Sequence, residues 1–120
     1  MGRILVVDDE VDACRVLQSY LVTLGHTVDY ALSGEEALEK VGQEPPDLVL
    51  LDLRMPTMDG METLKHLKSM RPGIAVIILT AVHQRELGET GMHLGAVDYL
   101  TKPVDFAMLE SSVTAGLLGR

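Results

Sequence analysis

Residues 3–9 read RILVVDD, and this short stretch decides the fold. Its apolar residues run without a break from Ile4 to Val7, which predicts a buried strand, and two aspartates end the run. The same arrangement occurs at 47–52, which reads DLVLLD, and at 74–80, which reads IAVIILT. Continuous apolar runs are typical of parallel strands covered on both faces. We therefore expect a parallel sheet whose strands end in polar residues.

Amphipathic segments separate the apolar runs along the whole chain. We predict strands at 3–7, 27–31, 47–51, 74–79 and 97–100. We predict helices at 11–24, from Ser33 to the prolines at 45 and 46, at 59–70, at 84–94, and from Asp105 onward. Five alternating strand–helix units predict an α/β domain over residues 1–120. Its doubly wound parallel sheet should have the flavodoxin-like order 2-1-3-4-5, with helices on both faces.

Composition and charge exclude several classes of function. The chain has 120 residues, 18 acidic against 10 basic side chains, and a net charge of −8. A nucleic-acid surface would need clustered lysine and arginine, so direct binding of nucleic acid is not expected. The apolar runs are far shorter than the roughly 20 residues that cross a bilayer, so no membrane segment is expected. The single cysteine, Cys14, cannot form an internal disulfide, which favours a cytoplasmic location.

Polar side chains follow four of the predicted strands. Asp8 and Asp9 follow strand 1, Asp52 follows strand 3, Thr80 follows strand 4, and Lys102 lies two residues beyond strand 5. In a doubly wound sheet these strand ends meet where the strand order reverses, and ligands bind there. Three carboxylates, a hydroxyl and an ammonium suit a hard divalent cation and a phosphoryl group. Each residue alone could be a helix cap, a turn residue or a solvated lysine, but adjacent like charges together need a compensating cation.

Four motifs carry a resemblance to a known family. They are ILVVDDE at 4–10, PDLVLLDLRMPTMDG at 46–60, ILTA at 78–81 and GAVDYLTKP at 95–103. With these motifs in this order and spacing, the chain resembles the receiver domain of bacterial two-component response regulators. The resemblance covers essentially all of the sequence. It implies a phosphoacceptor switch rather than an enzyme with multiple turnover.

The resemblance assigns a role to each residue of the acidic edge. Asp52 is the phosphoacceptor, which takes a phosphoryl group from a sensor histidine kinase or a phosphotransfer protein. Asp9, Asp52 and the backbone carbonyl of Arg54 ligate Mg²⁺, and Asp8 contributes through a water molecule. Lys102 contacts the phosphoryl group. Transfer to a carboxylate is mainly a matter of positioning and charge neutralisation, which explains why these residue types are needed.

The resemblance also implies how the signal leaves the site. Thr80 and Tyr99 form a switch pair: the Thr80 hydroxyl turns to the phosphoryl group, and Tyr99 rotates inward. This remodels the surface of helix 4, strand 5 and helix 5, which signals to an output domain or a downstream protein and allows a phosphorylation-dependent dimer. The bond between Lys102 and Pro103 is expected to be cis.

Two other functions remain open at this stage. One is an interaction module of the same fold that is never phosphorylated, and the intact set of polar residues counts against it. The other is a Mg²⁺-dependent phosphatase. A phosphatase of the haloacid dehalogenase type would carry Asp-x-Asp, whereas Arg54 stands two residues after Asp52.

Helix 4 contains two residues that weaken a helix. Gly88 and Gly91 lie in the middle of the segment 84–94, and each stabilises a helix by about 1 kcal/mol less than alanine does. We therefore expect helix 4 to be short or frayed, and to be the helix most changed by phosphorylation.

Overall fold

Five parallel strands form one sheet in the order β2-β1-β3-β4-β5. The computed structural model describes residues 2–54, 60–81 and 84–119. The strands are β1 (Arg3–Val7), β2 (Thr27–Ala31), β3 (Leu48–Asp52), β4 (Ala75–Ala81) and β5 (Asp98–Lys102). The helices are α1 (Val11–Thr23), α2 (Gly34–Gln43), α3 (Gly60–Met70), α4 (Arg85–His93) and α5 (Phe106–Leu118). The predicted fold class and strand order are confirmed.

The strands at the site extend further than the sequence predicts. β4 runs to Ala81, and β5 ends at Lys102, which pairs with Ala81 in the parallel ladder. The expectation that Lys102 lies two residues beyond strand 5 is therefore wrong. The polar residues at 101 and 102 lay beyond the predicted strand, but the backbone ladder to β4 continues through them. Asp59, which was expected to open helix 3, lies outside the described residues.

Each face of the sheet is covered by its own apolar core, because successive side chains of a strand point to opposite faces. On one face, Ile4 and Val6 pack with side chains of α1 and α5 such as Leu21 and Leu109. On the other face, Leu5 and Val7 pack with side chains that include Leu64 of α3. The central strands β1, β3 and β4 are therefore apolar over most of their length, and buried polar residues lie at their carboxyl ends. Within the described residues, no helix is long and apolar enough to cross a membrane.

The predicted ends of two helices are present with their hydrogen bonds. Ser33 Oγ accepts from the backbone N–H of Glu36 at 3.0 Å, and Glu36 Oε1 accepts from the backbone N–H of Leu32 at 2.8 Å. The reciprocal bond of the capping box thus falls one residue earlier than usual. Gly25 closes α1 with φ of 96°, a conformation that glycine adopts readily.

Helix α4 differs from the others in what it buries. It has nine residues, and the only two that are buried are Gly88 and Gly91. Leu87 and Met92 remain 40% and 39% exposed. A Cβ atom on Gly88 would meet the Tyr99 ring, and one on Gly91 would meet the Ile78 side chain. The glycines therefore let α4 approach the sheet closely, a packing role that its sequence did not indicate.

We predict that α4 exchanges its amide hydrogens faster than the other helices. It buries no large side chain completely, whereas α1 buries Cys14, Leu17 and Leu21. Amide hydrogen exchange followed by mass spectrometry measures this, with α1 as the internal reference. Exchange of residues 85–93 as slow as that of α1 would show that close backbone packing compensates for the missing side chains.

Candidate functional site

A lysine lies between two buried carboxylates at the carboxyl edge of the sheet. Lys102 Nζ donates to Asp8 Oδ2 at 3.0 Å and to Asp52 Oδ2 at 2.9 Å. Asp8 is 0% and Asp52 4% exposed. β1 and β3 are neighbours, which places the two aspartates side by side, and Lys102 reaches them from the end of β5. The predicted convergence of these three residues is confirmed.

Backbone turns fix the other oxygen of each carboxylate. Asp8 Oδ1 accepts from the backbone N–H of Glu10 at 3.0 Å, and Asp52 Oδ1 accepts from the backbone N–H of Arg54 at 2.9 Å. Aspartate side chains commonly bond to the backbone two residues on in this way. Both carboxylates are thus oriented by the chain itself.

The charges at this edge perturb one another. Burial raises the pKa of Asp52 above its usual value and outweighs the hydrogen bonds from Arg54 N–H and Lys102 that lower it. Burial alone would lower the pKa of Lys102, but its hydrogen bonds to Asp52 and Asp8 outweigh burial and raise it. Lys102 therefore stays charged, and its hydrogen bond together with that of the Arg54 N–H only partly offsets the effect of burial on the pKa of Asp52.

An open pocket of about 550 Å³ lies in front of these groups, lined by Asp9, Glu10, Asp52, Leu53, Arg54, Ala81 and Lys102. Asp9 and Glu10 are exposed, and carboxylate oxygens of Asp8, Asp9 and Glu10 lie within 4.8 Å of one another. Mg²⁺ prefers hard oxygen ligands, uses one or two carboxylates and retains several waters. The donor set and its access to solvent fit that ion.

Of the two expected switch residues, Thr80 contacts the residue that precedes α4, and Tyr99 contacts α4 itself. The Thr80 side chain is fully buried, and its Oγ1 donates to the backbone carbonyl of Gln84 at 3.2 Å, just before α4. Tyr99 is half-buried, and its ring lies against Gly88. The peptide bond between Lys102 and Pro103 is cis. The role of Gln84 was not foreseen, because its backbone carbonyl leaves no signal in the type of side chain.

Cys14 also contacts this edge, from the core side. Its Sγ–H donates to the backbone carbonyl of Asp8 at 3.4 Å, and burial raises its pKa to about 12. The thiol therefore stays protonated at neutral pH, so Cys14 is a core residue rather than a nucleophile. Its position on the buried face of α1 was predicted, but its bond to Asp8 was not.

The fold and the site together define a class of signalling domain, and comparison with known proteins agrees. Residues 4–114 match the response regulator receiver domain family, and the chain belongs to that family. It is 45% identical over 114 residues to the transcriptional regulatory protein ZraR of Escherichia coli, covering 95% of this chain and 26% of that protein. This membership places the chain in two-component signal transduction.

Other similar proteins agree with this assignment. The alkaline phosphatase synthesis transcriptional regulatory protein PhoP of Bacillus subtilis is 43% identical over 101 residues, covering 84% of this chain and 42% of PhoP. The chain thus spans between about a quarter and two fifths of the two relatives named here.

Solved structures are similar over nearly the whole chain. A response regulator receiver domain protein from Clostridium thermocellum superposes with a TM-score of 0.93 at 32% identity, covering 98% of this chain and 95% of the other. NtrX from Brucella abortus gives a TM-score of 0.94 at 28% identity, covering 98% of this chain and 28% of the other. Both support the same fold.

We predict that Asp52→Asn raises the free energy of unfolding at pH 7. The pKa of folded Asp52 lies above its ordinary value of 3.8, so ionisation weakens the folded state relative to the unfolded one. The advantage of the variant should shrink as the pH falls through the pKa of folded Asp52 toward 3.8. Urea denaturation between about pH 4 and pH 8 measures this.

Asp12→Asn is the matched control for this measurement. Asp12 is an exposed acid in the first turn of α1, where a negative charge is mildly favourable. Its removal should lower stability by about 0.5 kcal/mol. A loss of stability in Asp52→Asn at pH 7 would contradict the electrostatic account of the site.

Proposed function

We propose that this chain is a Mg²⁺-dependent phosphoacceptor switch in which Asp52 carries the phosphoryl group. The proposal rests on one observation. Lys102 bridges two buried carboxylates at the mouth of an open acidic pocket. One lysine cannot neutralise this many acids, so the site is suited to a further cation. The same lysine can then pair with the oxygens of an incoming phosphoryl group.

Asp52 is the carboxylate best placed to act as the nucleophile. It lines the pocket, whereas Asp8 is fully buried behind it. The Arg54 N–H holds one of its oxygens, and Lys102 lies 2.9 Å from the other. A carboxylate oxygen attacks the phosphorus of a phosphohistidine, a P–O bond forms, and the P–N bond to the imidazole breaks. Holding the attacking oxygen in place supplies much of the catalysis of such a transfer.

The ligands for the metal are the exposed and the pocket-lining oxygens. Asp9, Asp52 and the backbone carbonyl of Arg54 would hold Mg²⁺ directly, and Asp8 would act through a water molecule. The ion, when bound, neutralises the charge that the phosphoryl group brings to the site. Replacing Asp9 is the most specific test of this assignment. Asp9 is exposed, and it makes no hydrogen bond with Lys102 among the described residues.

The signal leaves the site through Thr80 and Tyr99. A phosphoryl group on Asp52 offers the Thr80 hydroxyl a charged acceptor in place of the neutral Gln84 carbonyl, and charged acceptors form stronger hydrogen bonds. Release of Gln84 frees the start of α4, and Tyr99 follows by rotating inward. The surface of α4, β5 and α5 then changes.

The partners follow from this role. In the cytoplasm, a sensor histidine kinase or phosphotransfer protein would supply the phosphoryl group. An output domain or a downstream protein would read the changed surface, and a phosphorylation-dependent dimer would use the same surface. The chain covers 26% of ZraR, which is named as a transcriptional regulatory protein.

We predict that acetyl phosphate with Mg²⁺ adds one phosphoryl group to the chain. Intact mass and Phos-tag electrophoresis should show the label in the wild type and in Asp29→Asn, which removes an exposed aspartate on β2. The label should be absent in Asp52→Asn. Labelling that survives in Asp52→Asn would refute the assignment. No label in any form would favour an interaction module, and rapid multiple turnover would favour a phosphatase.

Replacing Asp9 should weaken the metal site while leaving the fold intact. We expect Asp9→Asn to lower the Mg²⁺ affinity about tenfold or more, since it removes one of few charged ligands. Glu10→Gln is the contrast, because Glu10 lines the same pocket without an assigned role as ligand. Calorimetric titration with MgCl₂ measures both. Equal losses in the two variants would mean that Asp9 acts only through the general negative charge.

A further inference from the structure

Helix α4 rests on the sheet through the backbone of two glycines. A Cβ atom on Gly88 would lie 2.6 Å from Tyr99 Cδ2, 2.8 Å from Cγ and 3.1 Å from Cε2. All three atoms belong to the ring, so the ring lies directly over the Gly88 Cα. No side chain could occupy this position while Tyr99 stays where it is. Gly91, three residues on, approaches Ile78 of β4 in the same way.

Both switch residues contact the N-terminal end of α4 or the residue that precedes it. Thr80 donates to the carbonyl of Gln84, and Tyr99 covers Gly88. Gln84 directly precedes α4 and Gly88 is the fourth residue of the helix, so both contacts hold the N-terminal part of α4. Gln84 Oε1 is buried and accepts no hydrogen bond in the part of the chain that the structure describes, which weakens the hold on the start of α4.

We propose that Gly88 is a positioning residue of the switch. The Tyr99 ring packs against the Gly88 Cα when Thr80 is bonded to Gln84, and we call this packing contact the seat. We call the combination of the seat and the Thr80 bond the resting arrangement. The proposal rests on the phosphoacceptor function and deepens it, because it names the contact that couples Tyr99 to α4. Inward rotation of Tyr99 takes the ring off this seat. A side chain at position 88 therefore disfavours the resting arrangement and leaves the other one available.

The seat can be tested without any ligand. Gly88→Ala should move the Tyr99 ring, which NMR detects as changed ring-proton shifts and a changed χ1 population. Gly42→Ala is the matched control. Gly42 lies in a helix, is exposed, and a Cβ there would meet only Met70 Cε at 4.0 Å. Tyr99 signals that are the same in Gly88→Ala as in the wild type would overturn the proposal.

A double-mutant cycle separates the seat from helix propensity. Alanine favours a helix over glycine, which corresponds to about a fivefold change in the unfolding constant at an open position. We expect that gain for Gly42→Ala, and for Gly88→Ala when Tyr99 is also replaced by alanine. With Tyr99 present, Gly88→Ala should lose the gain, because the ring and the methyl group compete for one space. Full gain with Tyr99 present would refute the seat.

Ligand affinity then tests the link to signalling. Beryllofluoride with Mg²⁺ mimics an aspartyl phosphate, and a variant that disfavours the resting arrangement should bind it more tightly. We expect Gly88→Ala to raise that affinity about fivefold or more, and Gly42→Ala to leave it unchanged. Unchanged or weaker binding by Gly88→Ala, with binding by the wild type intact, would overturn the proposal. Failure of the wild type to bind beryllofluoride would instead refute the phosphoacceptor function, while the ligand-free measurements would still decide the seat.

Discussion

The bridge from Lys102 to Asp8 and Asp52 is the interaction on which the site depends. Two buried carboxylates at the ends of neighbouring strands repel each other, and removing them from water is unfavourable unless they are paired. Lys102 supplies one positive charge against two negative ones, and its Nζ lies within 3.0 Å of both. The balance that remains is negative, and Asp9 and Glu10 add to it at the pocket wall. The Lys102 bridge therefore stabilises the carboxyl edge of the sheet, but the net charge of the site remains negative.

The fold makes this arrangement possible by keeping polar groups out of both cores. Four polar or charged residues are buried in the described part of the chain: Asp8, Asp52, Thr63 and Thr80. Three of them lie at the carboxyl ends of β1, β3 and β4. The strands behind them are apolar on both faces, so the ends are held by packed side chains rather than by loops. The carboxylates thus sit at the ends of strands that are packed on both faces, which fixes where the side chains start.

Much of this could be predicted from the sequence, and the exceptions share a physical cause. Apolar runs and their periodicity predict the strands, and topology rules then bring Asp8, Asp52 and Lys102 together. The roles of these residues came from resemblance rather than from periodicity. The end of β5 was misjudged because polar residues can continue a ladder whose hydrogen bonds come from the backbone. Helix propensity identifies Gly88 and Gly91 only as weak helix residues because propensity is local, whereas their contacts with Tyr99 and Ile78 are tertiary.

The helices are anchored to the sheet in different ways. α1 and α5 are anchored by large side chains such as Leu21 and Leu109, whereas α4 is held by close backbone contact and one bond from Thr80. A change of charge at the strand ends therefore acts on helices that are anchored to different degrees. Of these three helices, α4 buries the fewest large side chains, and its exposed surface carries Leu87 and Met92.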